Sequence, residues 1–298
     1  MAFYPLDKLL QDAMERKYAV GQFTVTCLSM IEPVIEAAKE EDAPIMLTTH
    51  YDWNLKSSAG VNAFREVVRA YGESAGVPVV LHLDHGEDLH EVLECIRGGF
   101  NSVMYDGTGH PFDENIRLTK SVVDLAHAVD IAVEGEIDKC PTLEEAIPTT
   151  VPEELLTKPE LAKRFVEETG VDILAVAVGQ VHHHPKLVGD VHPLPKISSL
   201  NFERLKAIRK ATNAFLTMHA STHTPEDQIK KAIQLGVTKI GVGHIVLAPF
   251  VDGIRKTLKD SPDLYWPHEV LEPARRAIKK IVKHELQVYG SSGKAEGL

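Results

Sequence analysis

Short runs of apolar and β-branched residues alternate along the chain with longer segments in which apolar residues recur at the spacing of a helix. Runs of the first kind predict buried strands, and segments of the second kind predict amphipathic helices. We predict eight strands, at residues 19–24, 44–49, 77–83, 102–105, 131–134, 172–178, 215–219 and 239–242. We predict helices between them at residues 30–41, 61–71, 88–97, 116–128, 159–169, 201–211 and 224–235. Eight strand–helix units within about 250 residues indicate the α/β class and a (β/α)8 TIM barrel.

The length of the chain, 298 residues, suits one such barrel or two ordinary domains. An open, doubly wound sheet is the competing architecture, but it usually carries a glycine-rich phosphate motif after its first strand, and this sequence has none there. We therefore predict a single barrel domain over residues 1–298. Residues 139–159 contain four prolines and are long for a loop, so we predict a mobile excursion over the barrel mouth. A helical tail is expected at the C-terminal end.

Composition and charge argue against several classes of function. The net charge of −11 disfavours a nucleic-acid-binding protein, which usually carries a basic patch. No apolar run approaches the ~18 residues of a membrane span, and the first residues do not resemble a signal peptide. Cys27, Cys95 and Cys140 form no CxxC pair, so we expect neither disulfides nor a thiolate zinc site. We predict a cytoplasmic protein with a small-molecule substrate and no nucleic-acid or membrane partner.

Three histidines and one aspartate follow predicted strands at the point where each strand ends. Asp84 and His85 come after the third strand, His182 after the sixth and His219 after the seventh. The carboxyl ends of all strands of a barrel meet in one pocket, where three neutral imidazoles can form a catalytic zinc site and Asp84 can move a proton. Each histidine taken singly is better explained as a buried structural residue, but the three together favour the metal site. Zinc chemistry of this kind serves both carbon–carbon cleavage and hydrolysis, and the residue types do not separate the two.

Further carboxylates surround the predicted pocket. Asp106 follows the fourth strand, and Glu134 and Glu136 follow the fifth. They can hold a second metal, orient the histidines or lie solvated at the barrel rim, and we favour the last two interpretations. Glu144 and Glu145 lie on the predicted excursion, where they can bring a proton-transfer group on closure or form a solvated charge pair.

Segments along nearly the whole chain resemble the class II, zinc-dependent fructose-bisphosphate/tagatose-bisphosphate aldolase family. They are residues 18–23, 78–86, 133–137, 165–172, 233–240 and 289–294, in the order that the family has them. The resemblance implies that His85, His182 and His219 are zinc ligands. It also implies that Asp84 is the catalytic acid/base, next to the first of these ligands.

The resemblance further implies an activity and an assembly. Members of this family use zinc to hold an enediolate, and they release dihydroxyacetone phosphate and an aldehyde from a ketose phosphate. They are dimers or tetramers, often with a monovalent cation beside the phosphate, so we expect a homodimer or homotetramer. Asp106 and Glu136 match the family's acidic residues near the metal, and Glu144 or Glu145 falls near its flexible-loop glutamate.

The sequence departs from this family where the family binds phosphate. The family's Gly-Gly-Ser-Gly loop reads Ala-Ser-Thr-His at residues 220–223, and its Asn-x-(Asn/Ala)-Thr segment reads Gly-Val-Gly-His at residues 241–244. A side chain in such a loop obstructs the close approach of an anion to the backbone amides. We therefore predict a rebuilt substrate site whose histidines bind a different anion or sugar hydroxyls, or pack against one another. The candidate substrate-binding residues are His50, His183, Lys186, Ser221, His223, Gly241, Gly243 and His244.

Three functions follow from this sequence. The leading one is a zinc-dependent, aldolase-like lyase that cleaves or forms a carbon–carbon bond in a ketose or ketose-phosphate-like substrate through a zinc-stabilised enediolate. The alternatives are a zinc-dependent sugar epimerase with the same enolate or retro-aldol chemistry, and a non-catalytic accessory subunit of an aldolase. Release of an aldehyde separates the first from the second. The intact histidines and Asp84 argue against the third, because a scaffold has no need of an open zinc site.

Overall fold

Eight parallel strands form a closed barrel in a computed structural model that describes residues 3–56, 60–141, 151–182 and 199–298. Each strand pairs with the next along the chain, and the last pairs with the first. The strands are β1 (Val20–Thr24), β2 (Ile45–Thr49), β3 (Val79–Gly86), β4 (Ser102–Tyr105), β5 (Ala132–Glu136), β6 (Ile173–Ala175), β7 (Phe215–Met218) and β8 (Val237–Val242). The predicted (β/α)8 barrel is confirmed.

Ten α-helices accompany the strands within the described residues. They are α1 (Leu6–Arg16), α2 (Leu28–Glu40), α3 (Gly60–Ala75), α4 (Leu89–Arg97), α5 (Phe112–His127), α6 (Pro159–Thr169), α7 (Phe202–Ala211), α8 (Glu226–Gln234), α9 (His244–Asp260) and α10 (Pro267–Val288). The sequence analysis missed α1 and α9, and α10 lies in the predicted helical tail. Of the predicted excursion, residues 142–150 lie outside the described residues, and Glu153–Leu155 forms a short 3-10 turn. None of the helices described is long and apolar enough to cross a lipid bilayer.

Helix α1 closes the N-terminal end of the barrel. Leu6, Leu9, Leu10 and Ala13 recur at helical spacing, and all four are buried. They belong to one apolar cluster with residues near the starts of four strands, namely Val20, Met46, Val80 and Ile173. Because this end is filled with side chains, the barrel interior opens at the opposite end, where two cavities lie at the carboxyl ends of the strands.

Strand β6 is shorter than its apolar run predicts. Residues 176–178 are as buried as the strand. However, two of their backbone amides donate hydrogen bonds to side chains and not to a neighbouring strand. The Val178 amide donates to Gln180 Oε1 at 2.9 Å, and the Ala177 amide donates to Thr157 Oγ1 at 2.9 Å. The polar backbone groups are therefore satisfied without lengthening the sheet, and the chain turns towards His182.

Helix α10 covers β1 and packs against α2 through a ladder of ion pairs. Arg275, Lys279 and Lys283 face Glu32, Glu36 and Glu40, so each pair joins residues that are 243 positions apart. Lys279 Nζ lies 3.1 Å from Glu36 Oε2, and Lys283 Nζ lies 2.8 Å from Glu40 Oε2. The constant spacing indicates that the two helices run side by side in register. The ion pairs therefore hold α10 on α2.

Candidate active site

The end of β3 carries a local irregularity that brings two neighbouring side chains into the same cavity. His85 has a left-handed backbone with φ of 45°, and the pairing of β3 with β4 shifts register between Leu83 and Gly86. In a regular strand, Asp84 and His85 would point to opposite faces. A bulge can re-aim a side chain next to an active site, and both residues line one cleft here.

One nitrogen of the His85 imidazole bonds a carboxylate, and the other makes no hydrogen bond to the described residues. His85 Nδ1 lies 2.8 Å from Asp106 Oδ2, and Asp106 Oδ1 accepts a hydrogen bond from the Thr108 amide at 3.0 Å. His85 Nε2 lies 4.0 Å from Asp84 Oδ1. Burial lowers the pKa of His85, but the hydrogen bond to Asp106 and the charges of Asp84 and Glu136 outweigh it and raise the pKa to about 10. Asp106 thus orients the ring.

The His219 imidazole, after β7, has the same arrangement. Its Nε2 lies 2.5 Å from Glu134 Oε1, and its Nδ1 lies 3.9 Å from Asp84 Oδ1. A carboxylate that bonds one ring nitrogen fixes the tautomer and leaves the other nitrogen to bind a metal. His85 Nε2 and His219 Nδ1 are therefore two oriented donors, both about 4 Å from the same Asp84 oxygen.

A buried ion pair supports this arrangement from inside the barrel. Glu134 also bonds Lys239 of β8, and both side chains are 0% exposed. Burial raises the pKa of Glu134, but the charges of Lys239 and His219 outweigh burial and hold the pKa well below its usual range. Beside them, burial and Lys239 lower the pKa of His82 to about 3, and its Nδ1 lies 2.7 Å from Ser102 Oγ. His82 is therefore neutral.

Asp84 is buried and anionic, and it is incompletely bonded. Burial raises the pKa of Asp84, but the charges of His85, His50 and His219 lower it to well below the usual range. Its Oδ1 has no hydrogen-bond partner among the described residues, and its Oδ2 lies 3.6 Å from His50 Nε2. An unsatisfied buried carboxylate oxygen is costly, and a metal ion or a substrate proton would satisfy it.

Two groups of possible ligand atoms converge within 4.8 Å in the part of the chain that the structure describes. One group is Asp84, His85 and His219, and the other is His85, Asp106 and Glu136. Burial raises the pKa of Glu136 to about 7, and its Oε2 also has no hydrogen-bond partner in the described part of the chain. These donors, imidazole nitrogen and carboxylate oxygen, suit a zinc ion.

His182 lines the same cleft but belongs to neither of these groups. Its backbone amide donates to the Pro141 carbonyl at 2.7 Å. Burial and the charges of His85 and His219 lower the pKa of His182 to about 4, so the ring is neutral at pH 7. The structure therefore brings two of the three predicted zinc ligands together around Asp84, and it places the third on the wall of the cleft.

The site opens into a cleft with two lobes. The acidic lobe, of about 380 Å³, is lined among others by Asp52, Glu87, Glu91, Asp106, Glu136 and Lys139. The glycine lobe, of about 320 Å³, is lined among others by Gln22, Thr24, Asp84, Gly241, Gly243 and His244. Both lobes share the side chains of His50, Trp53, His85 and His182. These four residues form the boundary between the lobes.

The candidate substrate-binding residues fall into three sets. His50, Gly241, Gly243 and His244 line the cleft. Ser221 and His223 are 4% and 0% exposed and lie behind it, because the chain forms a tight turn at Ser221–His223 that presents Ala220 and Thr222 instead. His183 and Lys186 lie outside the described residues, as do Glu144 and Glu145, which were predicted as proton-transfer residues.

Sequence reasoning overlooked two side chains of this site. Lys239 is the one charged residue of β8, and a single charge within a buried strand is a signal of a buried partner. Trp53 lies in the π-helical turn Tyr51–Leu55, directly after β2, and its ring stacks on His50 with centroids 3.7 Å apart. The sequence carries no periodic signal at Trp53, so only the structure reveals its position.

Comparison with known proteins agrees with the fold. The family model described as fructose-bisphosphate aldolase class-II matches residues 4–294. A 6-phospho-5-dehydro-2-deoxy-D-gluconate aldolase from Bacillus licheniformis is 37% identical over 297 residues, which cover 99% of this chain and 97% of the relative. A fructose-bisphosphate aldolase from Geobacillus stearothermophilus is 35% identical over 298 residues, covering 99% of each.

The solved structure of the YdjI aldolase from Escherichia coli K12 superposes with a TM-score of 0.80 at 29% identity, covering 99% of this chain and 100% of that one. The match thus extends over the whole barrel and over the strand ends that carry the site. The chain belongs to the class II fructose-bisphosphate aldolase family and is an aldolase, a lyase that breaks or forms carbon–carbon bonds.

Proposed function

We propose that this enzyme cleaves a ketose or ketose-phosphate-like substrate in a zinc-dependent retro-aldol reaction, with Asp84 as the acid/base. One observation carries the proposal. Asp84 Oδ1 is buried without a hydrogen-bond partner in the described residues, about 4 Å from two imidazole nitrogens whose rings are oriented by other carboxylates. A proton-transfer group beside an oriented pair of metal ligands is what such chemistry requires.

The residues fit a zinc ion. We assign His85 Nε2 and His219 Nδ1 as ligands because these nitrogens are free and face Asp84, and we assign His182 as the third ligand from the adjoining wall. Asp106 and Glu136 lie on the far side of His85, where they orient it or offer a second metal position. When bound, zinc supplies a Lewis acid that stabilises negative charge developing on a carbonyl oxygen.

The protein side chains account for the movement of protons. Asp84, anionic at neutral pH, accepts the proton of the substrate hydroxyl on the carbon that becomes the aldehyde. The adjacent carbon–carbon bond breaks, its electron pair passes to the ketone half, and an enediolate forms. Return of the proton to carbon gives the product ketone. His50 Nε2 lies 3.6 Å from Asp84 Oδ2, next to this carboxylate.

The glycine lobe is suited to the ketone half of the substrate. Gly241 leaves its backbone open beside the metal donor, since a Cβ there would lie 3.4 Å from His219 Nδ1. A Cβ at Gly243 would lie 3.3 Å from Thr24 Oγ1. The names of the two relatives describe phosphorylated keto compounds, which supports a phosphorylated ketone half in this lobe.

The resemblance to the family supports further features of this proposal. We propose a homodimer or homotetramer, located in the cytoplasm, with a monovalent cation beside the substrate phosphate. The cysteines Cys27, Cys95 and Cys140 are all free thiols, which agrees with a reducing compartment. Glu144 or Glu145 is proposed as a second proton-transfer group.

The test joins metal content with enolate formation. The purified enzyme is analysed for zinc and incubated in deuterated water with dihydroxyacetone phosphate or with unphosphorylated dihydroxyacetone, and C–H exchange is followed by NMR. Zinc together with exchange on either ketone is the expected result, and the ketone that exchanges identifies the donor class. Absence of zinc, or zinc without exchange on either ketone, would contradict the proposed reaction.

A further inference from the structure

Trp53 is an unusually exposed aromatic residue at the entrance to the site. Its side chain is 55% exposed, and it lines both lobes of the cleft. One ring face is held by His50 at a centroid distance of 3.7 Å and an interplanar angle of 23°, and the other side of the His50 ring faces His85 at 5.4 Å. The indole is therefore fixed in orientation while much of its apolar surface stays open to the cleft.

The acidic lobe carries an excess of negative charge over positive charge. Among the described residues, its lining includes five carboxyl groups and one lysine, Lys139. Asp52 pairs with Lys56 at 3.0 Å, and Asp106 bonds His85. The remaining carboxyl groups are Glu87, Glu91 and Glu136.

Glu136 gives this lobe a buried acceptor without a partner. Its side chain is buried, and Oε2 has no hydrogen-bond partner within the described part of the chain. The Glu91 side chain accepts a hydrogen bond from the Glu87 amide at 3.2 Å and is thereby held in the lobe wall. Carboxylate oxygens of this kind accept hydrogen bonds from hydroxyl groups, whereas a second anion close to them is repelled.

The position of Asp84 decides how a substrate would lie across the two lobes. The bond that breaks must be within reach of Asp84, which lines the glycine lobe, and of His85, which lies at its boundary with the acidic lobe. The two halves of the substrate therefore extend in opposite directions. An anionic half avoids the acidic lobe and occupies the glycine lobe, where Asp84 is the one carboxylate among the described lining residues.

We propose that the acidic lobe binds the aldehyde half of the substrate and that this half is an uncharged polyhydroxylated chain, which lays its C–H face on Trp53 and donates its hydroxyls to Glu91 and Glu136. The inference rests on the proposed retro-aldol function. It makes Trp53 a specificity-determining residue, because the indole contributes apolar contact without charge. It also makes the lobe selective against an aldehyde that carries a phosphate.

The first test measures binding without turnover. The chain contains two tryptophans, and Trp266 is 51% exposed and stacks on Tyr265 at 4.9 Å, away from the cleft residues. In the Trp266→Phe variant, Trp53 is the one tryptophan left, and its fluorescence is titrated with erythritol and with erythritol 4-phosphate. We expect erythritol to change the emission and to bind about tenfold more tightly than its phosphate. Equal or tighter binding of the phosphate, or no response to erythritol, would overturn the inference.

The second test measures selectivity in the condensation direction. With the ketone that exchanges its C–H protons as the donor, we expect glyceraldehyde to have a kcat/KM about tenfold above that of glyceraldehyde 3-phosphate, which corresponds to about 1.4 kcal/mol. Trp53→Ala should raise the KM for glyceraldehyde about tenfold, and the matched control Trp266→Ala should leave it unchanged. Glu91→Gln should reduce the preference against the phosphate. A preference for the phosphorylated aldehyde, or equal KM values in the two tryptophan variants, would refute the inference.

The two tests separate the inference from the proposed function. Loss of C–H exchange contradicts the retro-aldol reaction, whatever the acidic lobe binds. Exchange with the wrong acceptor preference contradicts the inference and leaves the reaction intact. The fluorescence titration gives a result in either case, because it requires no catalysis.

Discussion

Replacing Lys239 by methionine would test the buried ion pair at the centre of the barrel. Lys239 and Glu134 are both 0% exposed and bond each other, and Glu134 also holds His219. Methionine keeps the apolar stem of lysine and removes its charge, so Glu134 loses its strongest counter-charge while it stays in the interior. Breaking a buried pair from one side typically costs about 3–5 kcal/mol, because an uncompensated charge is left behind. We therefore expect the free energy of unfolding of Lys239→Met to fall by about this amount.

The double variant separates the charge from the packing. When Glu134→Gln is combined with Lys239→Met, neither residue is charged, and most of the lost stability should return. Replacement of both ions by uncharged groups of similar volume is often nearly neutral, so we expect the double variant to lie within about 1–2 kcal/mol of the wild type. The amide oxygen of glutamine accepts a weaker hydrogen bond from His219 Nε2 than the carboxylate does, so we expect the double variant to bind zinc about 10–100-fold more weakly than the wild type.

The assay is urea unfolding followed by circular dichroism in the presence of a chelator, with zinc affinity measured separately on the folded proteins. The four proteins of the cycle give the coupling energy between Lys239 and Glu134 directly. Unchanged stability of Lys239→Met would refute the argument. So would a double variant whose loss of stability equals the sum of the two single losses.

Three further predictions concern the site and the surface. Asp84→Asn should retain zinc and lose turnover by about 10²–10⁴-fold, whereas His182→Ala should weaken zinc binding itself. Measurement of zinc content and of C–H exchange distinguishes the two variants. Ala220 has a left-handed backbone with φ of 54°, so Ala220→Gly should raise the thermal midpoint by relieving strain of about 1 kcal/mol, and a lowered midpoint would contradict this. The hydrogen bond from Arg275 lowers the pKa of Glu32. This pair therefore stabilises the protein fully above the usual pKa of glutamate, and its contribution is lost as the pH falls through the lowered pKa of the folded state. Arg275→Ala should lower the free energy of unfolding by about 0.2–1 kcal/mol at pH 7 and hardly at all at about pH 3, as denaturation at the two pH values would reveal.

The barrel could be predicted because its strands are short apolar runs at regular intervals, a pattern that local sequence carries. Element boundaries were less certain where tertiary contacts decide them. The run at residues 172–178 looks like one strand, yet pairing ends at Ala175 because Gln180 and Thr157 bond the backbone beyond it. Helix α1 has a clear helical pattern, but it precedes the first strand, where the strand–helix repeat gives no expectation.

The site could be predicted in part, because the strand ends of a barrel meet wherever the strands are correctly placed. Asp84, His85 and His219 converge as expected. The left-handed backbone at His85 was not predictable, since it depends on a partner strand, and the sequence signal at Lys239 indicates a buried partner without identifying it as Glu134. The predicted strand begins at Lys239, whereas β8 begins at Val237 and carries this lysine in its middle, inside the barrel.

Pairing of β1 with β8 has a consequence for the order in which the protein can fold. Val20 pairs with Lys239, so the barrel closes through a contact between residues that are very distant in sequence. During synthesis, β1 presents an unpaired edge until β8 has left the ribosome, and α10, which covers β1, emerges later still. An open strand edge can pair with another chain. The nascent polypeptide is therefore most exposed to aggregation during the interval before its last strand arrives, and this is the period in which a chaperone would protect it.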